Sequence, residues 1–229
     1  MNIMSVTKLP YLIDEICAAV EIYYTGREGM QYVRTAFILC DDYTELVAKL
    51  FLLTDDAEWS DKKKDDHFKS YHQILSDTET LFAEKRPADI IAVRDLHARM
   101  RDRRRSRNGF FHSTHLLDLS LNRRAVVEAF CDLFTYGELL FPCDWQKHVE
   151  SSRNLDTMRV LLIIEKAGFS DPSLWPKAAA MIRACPRNAY SRAKVGVHLT
   201  RFPDDFHLRL CVTYGSNILR DKLKALILP

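Results

Sequence analysis

The sequence contains few of the residues that interrupt helices: only 7 glycines and 8 prolines occur among its 229 residues. Glycine costs backbone entropy in a helix, and proline removes an N–H that the helix interior needs. Their scarcity excludes a turn-rich all-β fold and favours long helices. Hydrophobic residues make up 47% and charged residues 28%, which excludes a disordered chain. We therefore expect a mainly α-helical globular protein.

Cysteine motifs and long apolar runs are also missing. The six cysteines form no CxxC pair, and most lie beside apolar residues, as buried reduced thiols do: Cys17, Cys40, Cys131, Cys143, Cys185 and Cys211. Acidic residues interrupt the first apolar stretch, so no signal peptide is predicted. The apolar run from Leu46 to Leu53 is broken by Lys49 and is too short to cross a membrane. These features predict a protein of the reducing cytoplasm that does not contact a membrane.

Several common catalytic motifs are absent, namely the P-loop, the dinucleotide fingerprint, the GxSxG elbow and HExxH. This disfavours the usual nucleotide-driven and hydrolase chemistries. His112 and His115 have the spacing of a metal-binding pair on a helix, but no convincing third ligand accompanies them. We therefore predict neither a metal site nor another cofactor.

The net charge of +2 hides a strongly basic segment. Residues 99–107 include six arginines and one acid, Asp102. Arginine presents a planar fork of donors that matches phosphate oxygens. The run therefore predicts contact with RNA through Arg101, Arg103, Arg104 and Arg105, and its alternative interpretation is a solvated helix face.

Hydrophobic periodicity predicts a series of helices. Seven of them have the ranges 10–24, 28–53, 66–85, 122–141, 155–166, 175–184 and 216–227. Another helix, the fourth in the chain, is predicted to begin at Pro87, and Asn122 is the predicted N-cap of the helix at 122–141. The broad apolar face of the second helix is typical of a bundle. Asn108-Gly109 is expected to break the fourth helix. Alternation within residues 195–214 favours a β-hairpin, with a helix as the alternative.

The chain changes character after Glu150, so two regions are predicted. Residues 1–150 are expected to form a helical bundle. Residues 151–229 are expected to form a smaller accessory region that is mostly helical.

The end of the basic run brings fixed cations close to a histidine in the sequence. Arg107 and His112 are five residues apart, with Asn108 directly after the arginine. Histidine moves protons near neutral pH, and arginine stabilises charge on a phosphoryl group. RNA supplies its own nucleophile, the 2′-hydroxyl beside the scissile phosphate, so such a pair suits RNA cleavage without a metal.

This motif resembles the active-site motif of HEPN domains, an arginine often followed by a polar residue, with a histidine after four to six intervening residues. The resemblance covers about the first two thirds of the chain and implies an antiparallel helical bundle. It implies Arg107 and His112 as catalytic residues and Asn108 as their polar partner. An early acid followed by a lysine, matched here by Glu45 and Lys49, would support them.

The resemblance further implies a metal-independent endoribonuclease that acts as a homodimer, with both motifs facing one cleft. By association it predicts a toxin or phage-defence effector and, as a partner, an antitoxin or other regulatory protein. One branch of the family has a modified tyrosine two residues after the histidine. Thr114 occupies that position here, which argues against this form of control.

Two questions stay open at this level. A spacing of five residues places Arg107 and His112 on different sides of a regular helix. They can share a site only if Asn108-Gly109 distorts the helix or a second protomer contributes. The alternatives to a nuclease are a non-catalytic helical adaptor that binds nucleic acid or protein, and a nucleotide sensor.

Overall fold

The computed structural model describes residues 8–25, 30–56, 58–63, 65–112, 123–151, 153–174, 176–177, 196–199 and 208–211. Within these ranges the chain is mainly α-helical, which confirms the predicted fold class. The helices are α1 (Leu9–Thr25), α2 (Met30–Asp55), α3 (Tyr71–Lys85), α4 (Ile90–His112), α5 (Arg123–Leu140), α6 (Pro142–Ser151) and α7 (Arg153–Gly168).

The long helix α2 buries most of the apolar stripe that its periodicity predicts. The buried members of the stripe are Val33, Phe37, Cys40, Val47 and Phe51. The wider apolar face expected from the sequence is only partly covered, because Leu46 and Leu53 are 42% and 37% exposed. One side of α2 therefore carries apolar residues that face solvent.

Helix α3 begins five residues later than predicted, at Tyr71 rather than Asp66. Ser70 is the N-cap, and its side chain accepts a bond from the backbone N–H of Gln73, whose side chain accepts one from the backbone N–H of Ser70. This capping box satisfies two helix-end donors. Asp66 instead has a left-handed backbone, with φ of 64°, which suits the preceding connection rather than a helix.

The described chain divides into two compact units. The first comprises the described parts of Met1–Ile16, Phe37–Asp118 and Asp132–His148. The second comprises those of Cys17–Ala36, Leu119–Cys131 and Val149–Pro229. The last of these boundaries, between His148 and Val149, is the one nearest to the division predicted after residue 150.

Aromatic side chains fill the core of the first unit. The ring centroid of Phe51 lies 6.2 Å from that of Phe82 and 6.1 Å from that of Phe141. Trp145 is fully buried. Arg86 donates to the carbonyl oxygens of Leu139 and Leu140, two acceptors that the end of α5 leaves without helix partners. These two hydrogen bonds connect the C-terminus of α3 to that of α5.

The second unit contains a buried polar cluster. The hydroxyls of Tyr23 and Tyr24 donate to Glu165 at 2.6 and 3.1 Å, and the guanidinium of Arg123 lies 4.8 Å from the ring centroid of Tyr23. Burial raises the pKa of Glu165, although these hydrogen bonds and Arg123 oppose the shift. The donors replace the water that the carboxyl group loses, which is what a buried acid requires.

Two short strands lie where the sequence alternation favours a hairpin. They are β1 (Gly196–Leu199) and β2 (Leu208–Cys211), which pair antiparallel with Val197 opposite Leu210. The predicted helices at 175–184 and 216–227 fall almost wholly outside the described residues, as does the predicted N-cap Asn122. Among the described helices, none has the length and apolar character needed to cross a membrane.

Gly109 in α4 and Gly137 in α5 allow a matched test of core packing. A Cβ at Gly137 would lie 2.3 Å from the ring of buried Trp145, whereas a Cβ at Gly109 meets nothing within 4 Å. Gly137→Ala should lower the free energy of unfolding by about 1–3 kcal/mol, because the indole has no space to move into. Gly109→Ala should raise it by about 0.5–1 kcal/mol through helix propensity. Urea denaturation measures both, and equal effects of the two substitutions would contradict this packing.

Candidate functional site

Helix α4 carries the whole motif without interruption. It runs from Ile90 to His112, so the predicted break at Asn108-Gly109 is wrong. No described glycine has a positive φ, and the Cα of Gly109 borders open space. A single exposed glycine weakens a helix by about 1 kcal/mol relative to alanine, which the rest of this 23-residue helix tolerates.

Helix continuity decides how the motif residues are arranged around the axis. At 100° per residue, Arg107 and His112 are separated by about 140°, whereas Asn108 and His112 are separated by about 40°. Asn108 is exposed. The side chain of His112 lies outside the described part of the structure. One copy of α4 therefore presents Arg107 and His112 on different sides.

Arg107 is held by two consecutive acids of α2. Its Nη2 lies 3.0 Å from Oδ1 of Asp42, and its Nε lies 3.8 Å from Oδ2 of Asp41. Its Nη1 lies 3.4 Å from Oδ1 of Asn108. The side chain remains 23% exposed. These contacts hold the guanidinium against the acids of α2.

Arg104, one turn earlier, is more deeply enclosed. Its Nη1 lies 2.7 Å from Asp41, its Nη2 pairs with Glu45, and its guanidinium stacks 4.1 Å above the ring of Tyr71. Its side chain is only 12% exposed. Glu45 also pairs with Lys49 at 2.9 Å. Glu45 thus lies in the same ionic cluster as Arg107 but pairs with Arg104, and Lys49 joins the cluster through Glu45.

The remaining arginines of the run also have acidic partners. All six lie within 4 Å of a carboxylate: Arg99 and Arg103 pair with Asp132, Arg101 with Glu79, Arg104 and Arg107 with the α2 acids, and Arg105 with Asp102. The basic charge is therefore neutralised locally, which the sequence did not predict. Arg105 is the most accessible of the six at 74% exposure. Contact of these arginines with RNA stays a prediction.

Asp41 is the buried acid of the ionic cluster that contains Arg104 and Arg107. Burial raises the pKa of its carboxyl group to about 6, although the guanidiniums of Arg104 and Arg107 oppose the shift. The side chain is 3% exposed, and its Oδ2 lacks a partner in hydrogen-bond geometry despite the close approach of Arg104. Buried charge without full hydrogen bonding favours the neutral form. Asp41 therefore titrates near neutrality beside the candidate catalytic arginine.

A buried hydrogen-bond network that the sequence did not predict lies nearer the N-terminus of α4. His97 is fully buried, with Nδ1 2.8 Å from Glu79 and Nε2 2.8 Å from the hydroxyl of Tyr136. Burial lowers the pKa of His97, so its ring is neutral at pH 7. Burial raises the pKa of Glu79, but bonds from His97 and Arg101 outweigh it and lower the pKa overall. Nδ1–H therefore donates to the carboxylate, and Tyr136 donates to Nε2.

This network is structural, because His97 has no access to solvent. Its members come from three successive helices, α3, α4 and α5, and no local motif marks them. Among the described residues, no group of His, Cys, Asp and Glu side chains is placed to hold a metal ion.

Comparisons with known proteins add no assignment. No protein-family model, no curated protein and no solved structure matches the chain. The resemblance to HEPN domains therefore rests on the motif of residues 107–112 and on the helical context.

The raised pKa of Asp41 predicts a specific pH dependence of stability. Its folded pKa of about 6 exceeds the ordinary value of 3.8, so the native state binds a proton that the unfolded state releases. This stabilisation is complete below pH 4 and is lost as the pH rises through 6. The free energy of unfolding of the wild type should fall by about 1 kcal/mol between pH 5 and 7 relative to Asp41→Asn.

Urea denaturation across this range measures the difference. Asp42→Asn is the matched control, because it removes the same charge from a side chain that is 42% exposed. It should retain the wild-type slope. Parallel pH profiles for the wild type and Asp41→Asn would show that Asp41 titrates normally.

Proposed function

We propose that this chain is a metal-independent endoribonuclease whose site combines Arg107 from one copy with His112 from another. The observation that carries the proposal is the placement of Arg107: it lies near the end of α4, it is held by Asp41 and Asp42, and 23% of its side chain is exposed. Asn108 is exposed beside it. A fixed arginine next to a polar amide suits recognition of a phosphodiester.

The helix geometry supports the use of two copies. Because α4 does not bend at Asn108-Gly109, Arg107 and His112 of one chain lie on different sides of the helix. A twofold arrangement would place Arg107 of each copy near His112 of the other. This is the arrangement that the resemblance to HEPN domains also implies.

The chemistry then follows from the side chains. His112 removes the proton from the 2′-hydroxyl, whose oxygen attacks the adjacent phosphorus, and the bond to the 5′-oxygen breaks. The leaving oxygen takes a proton, from the second His112 or from water, and the products carry a 2′,3′-cyclic phosphate and a 5′-hydroxyl. Arg107 stabilises the charge that develops on the phosphoryl oxygens. Asp42 competes with the phosphate for Arg107, because it already accepts a hydrogen bond from Nη2 in the free protein.

The arginine run would bring RNA to this site. Exposure ranks its members, with Arg105 at 74%, Arg101 at 30%, Arg103 at 17% and Arg104 at 12%. Arg105 would make the first contact, and the others would engage only if their carboxylates release them. Binding would weaken with salt. A role as a toxin or phage-defence effector, controlled by an antitoxin or other regulatory protein, is the biological setting that we propose.

Cleavage of RNA by the purified protein tests the proposal. The wild type should cut RNA in EDTA and leave cyclic-phosphate or 3′-phosphate ends. Arg107→Ala and His112→Ala should each reduce the rate by at least about 100-fold. Lys147→Ala, which changes an exposed cation on α6, is the control and should retain the wild-type rate. Equal rates for all four proteins would contradict the assignment.

Mixing the two inactive variants tests the shared site. A dimer of one Arg107→Ala chain and one His112→Ala chain contains one site with both wild-type residues if the residues come from different copies. An equal mixture should therefore regain roughly a quarter of the wild-type rate, because about half of the dimers are mixed and each has one working site. If both residues acted within one chain, the mixture would stay inactive.

A non-catalytic adaptor is the second candidate, and the neutralised arginine run favours it. Each arginine already has an acidic partner, so the run can serve to join α4 to α2, α3 and α5 rather than to bind RNA. An adaptor would retain RNA or a protein partner without forming products. Its binding would be unchanged in His112→Ala.

A further inference from the structure

An apolar groove lies between α1 and α2 of the first unit. Its volume is about 350 Å³, and its lining is mostly apolar. Tyr11 is 74% exposed there, and Leu46 and Leu53 are the partly exposed leucines of α2. The residues lining it are Lys8, Tyr11, Leu12, Glu15, Leu46, Lys49, Leu50 and Leu53. Apolar side chains grouped in this way mark contact surfaces rather than ordinary exposure.

The charges at the groove have a pattern that a second copy would match. Lys8 directly precedes α1, and Glu15 follows seven residues later, about two helical turns on, at the side of the helix that carries Tyr11 and Leu12. Both are exposed, and neither forms an ion pair with another described residue. The cation and the anion lie at equal distances along the helix from the midpoint between Tyr11 and Leu12.

We propose that this groove is the docking face of a second copy of the chain, with the two α1 helices antiparallel across a twofold axis. A twofold interface requires a surface that complements itself. Antiparallel pairing about the midpoint between Tyr11 and Leu12 places Lys8 of each copy opposite Glu15 of the other. It also brings each exposed Tyr11 against Leu12 of the second copy, beside the apolar wall formed by α2.

The groove also borders the candidate site. Asp42, which binds Arg107, lies one turn before Leu46 on the same stripe of α2. A copy seated in the groove would therefore lie close to Arg107. The docking face is argued from α1 and α2 alone, so it does not depend on RNA cleavage.

Charge reversal tests the interface. The full-length wild type should sediment as a dimer in analytical ultracentrifugation. Lys8→Glu and Glu15→Lys should each weaken the dimer by about tenfold or more, because each reversal sets like charges opposite one another twice per dimer. The double variant, Lys8→Glu with Glu15→Lys, should restore the wild-type affinity. Lys147→Glu, an exposed charge reversal on α6, is the control and should leave the dimer unchanged.

A substitution in the centre of the groove gives an independent readout. Tyr11→Lys should yield a monomer, with the helical circular dichroism of the wild type showing that the chain is folded. A monomeric wild type, or a double variant as weak as the singles, would overturn the proposal. A dimer that follows the charge-reversal pattern but cuts no RNA would contradict the endoribonuclease and leave the docking face intact.

Discussion

The ion pairs between the arginines of α4 and the acids of α2 fix the position of Arg107, on which the candidate site depends. Asp41 and Asp42 hold Arg107 near the end of a long helix, and the same acids with Glu45 enclose Arg104. Charged groups lose hydration when they pack between helices, so the pairing must be close and well oriented to offset that cost. The result is a guanidinium in a defined position at the surface.

The same ion pairs weaken the positive electrostatic potential around the arginine run. Six arginines in nine residues would attract any polyanion if they were free, but carboxylates on α2, α3, α4 and α5 neutralise them. A ligand must therefore displace an internal partner, above all Asp42, to gain a bidentate contact with Arg107. Binding would favour a phosphate in the correct geometry over an unspecific polyanion. The buried carboxyl of Asp41 adds a dependence on pH, because its charge changes near neutrality.

Helix α2 serves two surfaces at once. One side carries the acids that hold Arg104 and Arg107, and the adjacent stripe carries Leu46 and Leu53 in the groove with α1. On a continuous α4 the backbone positions of Arg107 and His112 are about 140° apart around the axis, which is why we propose that a site using both needs a second copy. The groove offers a self-complementary surface beside Arg107 where such a copy can bind.

The sequence by itself determined the helical class and most helix ranges, because the apolar spacing of residues such as Val33, Phe37 and Phe51 depends only on the helical repeat. It also identified Arg107, Asn108 and His112 as a group, since they are neighbours in the chain. The predicted helix break at Asn108-Gly109 was wrong, because the helical turns on either side stabilise α4 by more than one glycine destabilises it. Tertiary structure alone decided which acid meets which arginine, because Asp41 and Arg104 are 63 residues apart and meet only when α2 packs on α4. For the same reason, no pattern in the sequence could show that the basic run is neutralised or that Asp41 is buried beside it.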